Sequence, residues 1–264
     1  MTGLAGRRPR PPVEDYVRRL PSPAGGDGQP LLDAETCLIR EVDSRAGEAS
    51  DFQAHPCDKL VWALEGDLTL ETPGSSVVLR PGSAAWIRSG AAHRERGGDT
   101  AGRRLEILPR PPARGRDLRV PSSPPSGGAA VALKDVAEVA VREPVPGFQI
   151  RELFGWADGC ADVSLRHARV RPPAGGIGWH IHPFDQVYFV LAGTLHVEIA
   201  QWTFDVDRDC LVFLPAGVPH RNWVVGDVVE EHLVLLLPAP SPGSAIDYFV
   251  DFALTGELLR APQV

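Results

Sequence analysis

Three histidines in the second half of the chain have the residue type and spacing of a metal site. His180 and His182 are separated by one residue, and strand side chains alternate between two faces, so both imidazoles point the same way. Gln186 and Tyr188 share that face if the strand continues. His220 follows the turn sequence Pro-Ala-Gly-Val-Pro and can return beside them. Three imidazoles on one inner face predict a divalent transition-metal site.

The elements that would position these histidines read as short strands joined by turns. The chain has 264 residues, of which 27 are Gly and 26 are Pro, which is typical of many short strands with tight connections. Leu195–Ile199 alternates apolar and polar residues, as a half-buried strand does. Hydrophobic residues make up 43% of the chain, which indicates a globular fold with a substantial core.

The pattern resembles the two motifs of the cupin family. The first, roughly G-x5-H-x-H-x3-E-x6-G, matches at His180, His182, Gln186 and Gly193, and the second, G-x5-P-x-G-x2-H-x3-N, matches at Pro215, Gly217 and His220. Three departures from the family pattern matter. Gln186 replaces the usual Glu, Asp209 replaces the first Gly of the second motif, and Asn222 comes earlier than the usual Asn.

The first half of the chain repeats the second at a constant shift of 127 positions. Gln53, His55, Lys59 and His93 fall without a gap on His180, His182, Gln186 and His220. An ungapped match through both motifs indicates an internal duplication. We therefore expect an all-β bicupin, with two tandem double-stranded β-helix (jelly-roll-like) barrels and a short C-terminal helix whose apolar side packs on a barrel.

The predicted organisation has five parts, separated by changes in composition. They are a flexible N-terminal arm at 1–30, a first barrel at 31–108, a Pro/Ser/Gly-rich linker at 109–129, a second barrel at 130–240 and the C-terminal helix at 241–264.

The two barrels are predicted to differ in metal binding. In the second barrel, the resemblance implies one metal held by His180, His182, Gln186 and His220. Iron is the metal we expect, and zinc, nickel, manganese or copper are also compatible with these ligands. Gln186 is either a ligand through its amide oxygen or a contact of bound water or substrate. In the first barrel Lys59 brings a cation to the ligand position, which favours either a vestigial site or a pocket for an anion.

The charge of the predicted donor set suggests the kind of substrate. Imidazoles and an amide are neutral, so the metal's charge stays uncancelled and favours an anion such as an enolate, phenolate or carboxylate. Tyr188 lies in phase with the ligands, and we take Gln186 and Tyr188 as candidate catalytic residues. His167, His196 and His232 are interpreted as ordinary strand residues.

Resemblance to bicupins points first to an iron dioxygenase, an oxidoreductase of a small phenolic or enolic metabolite, similar to the quercetinase and gentisate types. The alternatives are a redox-neutral metal-dependent cyclase or isomerase, and a ligand-binding or regulatory cupin without catalysis. The sequence is also compatible with a homodimer.

Charge, hydropathy and cysteine content exclude several other classes of protein. The formal charge is −7, so the chain has no basic field for nucleic acid. No segment has the roughly 20 apolar residues of a membrane span. The four cysteines are scattered and are expected to be reduced thiols, and together with the lack of a secretory signal they favour the cytoplasm.

Overall fold

The computed structural model describes residues 13–19, 30–110, 129–172, 176–224, 226–251 and 259–260. These residues are almost entirely strand and turn, with three single-turn 3-10 helices, Val13–Tyr16, Val136–Glu138 and Trp156–Asp158. No helix among them is long and apolar enough to cross a membrane. The four cysteines are free, as expected. The fold is that of two tandem cupin barrels.

The described residues of the first half of the chain form ten strands. They are β1 (Val17–Arg19), β2 (Pro30–Asp33), β3 (Cys37–Ser44), β4 (Lys59–Glu65), β5 (Leu68–Thr72), β6 (Ser75–Leu79), β7 (Ser83–Ile87), β8 (Arg94–Gly97), β9 (Gly102–Pro109) and β10 (Val131–Asp135). A six-stranded sheet in the order β10-β7-β4-β9-β3-β2 and a three-stranded sheet β6-β5-β8 form the first barrel.

Twelve strands lie in the part of the second half that the structure describes. They are β11 (Arg142–Val145), β12 (Phe148–Phe154), β13 (Ser164–Val170), β14 (His180–Ile181), β15 (Asp185–Ala192), β16 (Thr194–Ile199), β17 (Trp202–Asp207), β18 (Cys210–Leu214), β19 (His220–Val224), β20 (Glu230–Leu237), β21 (Tyr248–Phe249) and β22 (Leu259–Arg260). The second barrel combines the sheets β1-β18-β15-β20-β13-β12-β11 and β21-β14-β19-β16-β17-β22.

Backbone geometry repeats with the sequence duplication. Three pairs of positions 127 residues apart share a left-handed backbone: Gly66 and Gly193, Gly82 and Asp209, and Gly90 and Gly217. Asp209, with a φ of 63°, occupies the place where the family motif carries glycine. Aspartate is among the residues that tolerate this conformation, because its short polar side chain can bond locally. The substitution therefore keeps the turn.

Near the predicted boundaries at residues 30 and 130, a strand from one part of the chain joins the sheet of the other barrel. β1, from the predicted N-terminal arm, pairs antiparallel with β18 of the second barrel. β10, at the start of the predicted second barrel, pairs with β7 of the first. Residues 17–19 are therefore part of a sheet rather than of a flexible arm, and residues 131–135 belong structurally to the first barrel.

A continuous apolar core joins the two barrels. β4 is buried on both faces: Val61 and Ala63 pack inside the first barrel, whereas Leu60 and Trp62 belong to the core shared with the second. Trp62 stacks on His167 of the second barrel, with ring centroids 6.3 Å apart. A strand buried on both faces reads as an unbroken apolar run, which is how residues 60–64 appear in the sequence.

The described part of the C-terminal tail is not helical. Residues 241–251 form a turn and the strand β21, which pairs with β14 of the second barrel. The predicted helix is therefore wrong over this range. The apolar spacing fits one face of a helix, but the unpaired edge of β14 offers the backbone a strand partner instead. Residues 252–258 and 261–264, the rest of the predicted helix, lie outside the described residues.

Candidate metal centre

Two short strands bring the three histidines of the second barrel together. His180 on β14 stands directly opposite His220 on β19. Opposite residues of an antiparallel pair have Cβ atoms about 5 Å apart, so the imidazoles are neighbours. The backbone N–H of Gly217, in the turn before β19, donates to the carbonyl oxygen of His182 at 2.8 Å. The turn of the second motif therefore fixes both His220 and His182.

The three imidazoles form a compact group with their nitrogens converging. One ring nitrogen of each residue lies within 4.8 Å of the other two, and all three residues are buried. Each Nδ1 lies at hydrogen-bond distance from a main-chain carbonyl oxygen: 2.7 Å between His180 and Gly178, 2.7 Å between His182 and Ile246, and 3.0 Å between His220 and Val218. A carbonyl accepts only, so Nδ1 carries the proton and Nε2 keeps its lone pair.

This arrangement fits a divalent metal. The Nε2 atoms of His182 and His220 are buried and have no hydrogen-bond partner among the described residues. A buried polar atom without a partner is costly, unless a ligand or ion completes it. Burial, reinforced by the neighbouring His180, lowers the pKa of His220 to about 3. Burial also lowers the pKa of His182, so both imidazoles are neutral and able to bind a cation at neutral pH.

The lowered pKa values predict acid sensitivity of the metal-free protein. His220 stays neutral in the folded chain down to about pH 3, whereas in the unfolded chain it takes up a proton near pH 6.5. The unfolded state therefore binds more protons between these values, and the free energy of unfolding should fall as pH falls from 6.5 to 5. For each such histidine, the free energy of unfolding can fall by at most about 1.4 kcal/mol per pH unit. Urea unfolding of the metal-free protein should show this slope, and His220→Gln should reduce it; an unchanged slope in the variant would contradict the prediction.

Gln186 and Tyr188 point into the same interior. Gln186 on β15 is buried, and its Oε1 atom has no hydrogen-bond partner among the described residues. The hydroxyl of Tyr188 donates to Oδ1 of Asn222 at 3.3 Å. Burial raises the pKa of Tyr188, so this side chain stays a neutral phenol. The assignment of Gln186 as a metal ligand and of both residues to catalysis stays a prediction.

A cavity of about 390 Å³ opens beside His180. His180, Gln186 and Tyr188 line it together with apolar side chains such as Leu195 and Val234. A cavity of this size holds a small metabolite, and an apolar wall with few polar groups is typical of a ligand site.

The polar residues of the cavity wall that escape prediction from the sequence include Arg166, His232 and Asp247. Arg166 on β13 is buried, and its guanidinium lies 3.4 Å from the Glu152 carboxylate. His232, interpreted as an ordinary strand residue, lines the cavity and has its Nδ1 2.9 Å from the Glu230 carboxylate. Asp247 enters from the C-terminal tail. The alternation of Arg166 and His232 with apolar residues indicates only an inward-facing position, and no motif marks any of the three.

The equivalent place in the first barrel is filled by an ion-pair cluster. Lys59 is fully buried, with its Nζ 2.6 Å from Oε1 of Glu95 and 3.0 Å from Oε1 of Glu106. Burial alone would raise the pKa of Glu106, but Lys59, Arg104 and Arg40 outweigh it and lower the pKa to about 2. The anions beside Lys59 are therefore the protein's own carboxylates.

The remaining residues of the vestigial site stay close together without forming a ligand trio. His55 and His93 have ring centroids 5.4 Å apart, and Gln53 forms an isolated bridge with His93. Among the described residues, a group of at least three side chains close enough to bind one metal occurs in the second barrel, at His180, His182 and His220.

The sequence matches a known family model within the second barrel. Residues 167–235 match the model described as Cupin domain. A comparison with curated proteins gave no significant match.

Solved structures of similar fold cover most of the chain. A protein from Pseudomonas aeruginosa described as glyoxylate-induced has 18% identity and a TM-score of 0.65, covering 87% of this chain and 84% of its own. An oxalate decarboxylase from Lactobacillus farciminis, solved with formate, has 11% identity and a TM-score of 0.60, covering 78% of each chain. A cupin 2 conserved barrel domain protein from Leptotrichia buccalis has 14% identity and a TM-score of 0.57, covering 79% of this chain and 87% of its own. At these identities the likeness concerns the fold.

Proposed function

We propose that the protein is a metal-dependent enzyme that acts on a small organic anion in the cavity of the second barrel. The observation that carries this proposal is the convergence of three buried imidazoles, one of which, His180, lines a cavity of about 390 Å³ whose wall also holds the cation Arg166. A metal and a guanidinium on one small cavity favour a ligand with a carboxylate, enolate or phenolate oxygen.

The chain's own residues would divide the work of binding and proton handling. A bound metal would supply Lewis acidity and, for iron, the redox chemistry of oxygen activation. Arg166 would hold a negative group of the substrate, and Tyr188 would line the cavity as a neutral phenol whose hydroxyl donates to Asn222. His232 is oriented by the Glu230 carboxylate, an arrangement that suits an imidazole for accepting a proton. The apolar wall would exclude water around the substrate.

Dioxygenation of a phenolic or enolic anion is the leading reaction. It requires an oxygen-activating metal, an acidified substrate oxygen and an apolar cavity; the three imidazoles would hold the metal that supplies the first two, and the cavity wall is mainly apolar. The test is metal analysis of protein purified without chelator, followed by oxygen uptake with a panel of small phenols and enols. Bound iron with substrate-dependent oxygen uptake supports this reaction, and a redox-inert metal without oxygen uptake contradicts it.

A redox-neutral reaction on a small carboxylate is the second candidate. The buried Arg166 and the Glu230–His232 pair favour it, because charge holding and proton transfer need no oxidant. The solved structures of similar fold include oxalate decarboxylases. Zinc, nickel or manganese in the purified protein, with turnover of a carboxylate in the absence of oxygen, would identify this reaction. Tight binding without turnover would identify a ligand-binding protein.

Arg166 provides a test of the anionic substrate class. Arg166→Gln should weaken binding of the anion about 10- to 100-fold, since a charge-assisted hydrogen bond in a desolvated site is lost. Arg171→Gln, at an exposed position, is the matched control and should change binding little. Isothermal titration with the best-binding phenolate or carboxylate measures both. Equal affinities in Arg166→Gln and the parent protein would remove Arg166 from the substrate site.

A further inference from the structure

Glu106 in the first barrel and Val234 in the second occupy equivalent positions. Glu106 on β9 pairs with Val61 on β4. Val234 on β20 pairs with Tyr188 on β15, which lies 127 residues after Val61. The register shift beside these pairs is also equivalent, since it falls between residues 63 and 65 in the first barrel and between residues 190 and 192 in the second. The first barrel therefore has a carboxylate where the second has an apolar side chain.

The Glu106 carboxylate is surrounded by cations in the first barrel. Arg40 on β3 stands directly opposite Glu106, with its Nη2 atom 2.8 Å from Oε2 of the carboxylate. The Nζ atom of Lys59 lies 3.0 Å from Oε1. The Nε atom of Arg104 donates to the same Oε1 at 3.2 Å. Three cationic side chains thus converge on one buried carboxylate.

The second barrel keeps polar side chains at the positions of these three partners. The residues equivalent to Arg40, Lys59 and Arg104 are Arg166, Gln186 and His232. All three line the cavity of about 390 Å³, and so does Val234. The ion pair that Arg166 makes, with the partly exposed carboxylate of Glu152 on β12, is longer, at 3.4 Å. The cavity therefore presents the surroundings of a carboxylate at a place where the chain itself has valine.

We propose that the carboxylate of a ligand occupies, in the second barrel, the place that the Glu106 carboxylate occupies in the first. This inference rests on the proposed function and deepens it, because it assigns the substrate to the carboxylic acids under either candidate reaction. The planar guanidinium of Arg166 matches the two oxygens of a carboxylate, and the Gln186 amide group can donate a further hydrogen bond. Val234 and Leu236, both buried on β20, offer apolar contacts to the rest of the ligand.

Two substitutions of Val234 test this place without any ligand. Val234→Glu brings a carboxylate within reach of Arg166, and Val234→Gln has the same size without the charge. In an ordinary apolar core the charged variant is the less stable of the two. Here we expect the reverse, with the urea midpoint of Val234→Glu at least about 0.3 M above that of Val234→Gln. The same two substitutions at the exposed Val228 should share one midpoint. A midpoint of Val234→Glu equal to or below that of Val234→Gln would overturn the proposal.

Ligand binding to the metal-free protein gives a second, independent measurement. Benzoate has a carboxylate on an apolar ring, and benzamide has the same shape without the charge. In isothermal titration benzoate should bind at least about 30-fold more tightly than benzamide, and Val234→Glu should weaken benzoate binding at least about 10-fold, because its own carboxylate fills the place. Equal affinities for the two compounds, or equal benzoate affinity in the parent and in Val234→Glu, would overturn the proposal. Neither measurement involves a metal or turnover, so a wrong reaction class would leave both outcomes unchanged.

Discussion

Replacing His182 with alanine is expected to weaken metal binding by several orders of magnitude. The change removes one of three strong donors and also breaks the bond that ties the ring to the carbonyl oxygen of Ile246. The barrel should stay folded, because its core consists mainly of apolar side chains on the two sheets. Metal content after dialysis, together with circular dichroism, measures both effects.

The duplication supplies a matched control for this experiment. His55 occupies the position of His182 in the first barrel, 127 residues earlier. His55→Ala should leave the metal content at one ion per chain, because Lys59 and its carboxylates fill that barrel. Full metal occupancy in His182→Ala would refute the ligand assignment. A parent stoichiometry near two that drops to one in His55→Ala would refute the difference between the barrels.

Replacing Lys59 with methionine is expected to cost about 3–5 kcal/mol of unfolding free energy. The lysine is fully buried and contacts the carboxylates of Glu95 and Glu106, which are themselves buried. Methionine has a similar length but no charge, so Glu95 would keep only Arg104 as a cationic partner in the cluster, while Glu106 would keep Arg104 and Arg40. Removing Lys59 leaves the buried Oε1 of Glu95 without its partner at 2.6 Å, and this lost compensation dominates the cost.

Lys134 is the other lysine of the chain and provides the comparison. It pairs with Asp158 at 2.6 Å, but its side chain is 31% exposed. Pairs of this kind contribute at most about 1 kcal/mol, so Lys134→Met should change stability little. Urea unfolding of the two variants gives both values. A loss in Lys59→Met no larger than in Lys134→Met would show that the buried cluster relaxes or admits water.

The duplication and the histidine trio were predictable because local rules fix them. Strand alternation requires His180 and His182 to share a face, and the turn before His220 requires glycine at Gly217, whose φ is 77°. These constraints act over a few residues, so they leave a regular trace in the sequence. The same constraints recur 127 residues earlier, and for that reason the order of residues alone is enough to predict two barrels.

The helix predicted for the tail is wrong because the conformation of this segment depends on a distant partner. The spacing of Ile246 and Phe249 suits a helix as well as a strand, and local propensity does not distinguish them. The free edge of β14 selects the strand, because pairing with it satisfies backbone groups of both segments. β1 and β10 show the same effect, because each finds its partner in the other barrel.

Residue order was sufficient to predict the all-β fold, the duplication, the grouping of the three imidazoles and the presence of Lys59 at the position equivalent to Gln186. The other charges around the site depend on the folded chain as a whole. Arg166, His232 and Asp247 come from three segments spanning about 80 residues, and they meet because sheet register and tail pairing bring them to one cavity. Such long-range proximity is set by packing of the entire barrel, and it leaves no local pattern in the chain.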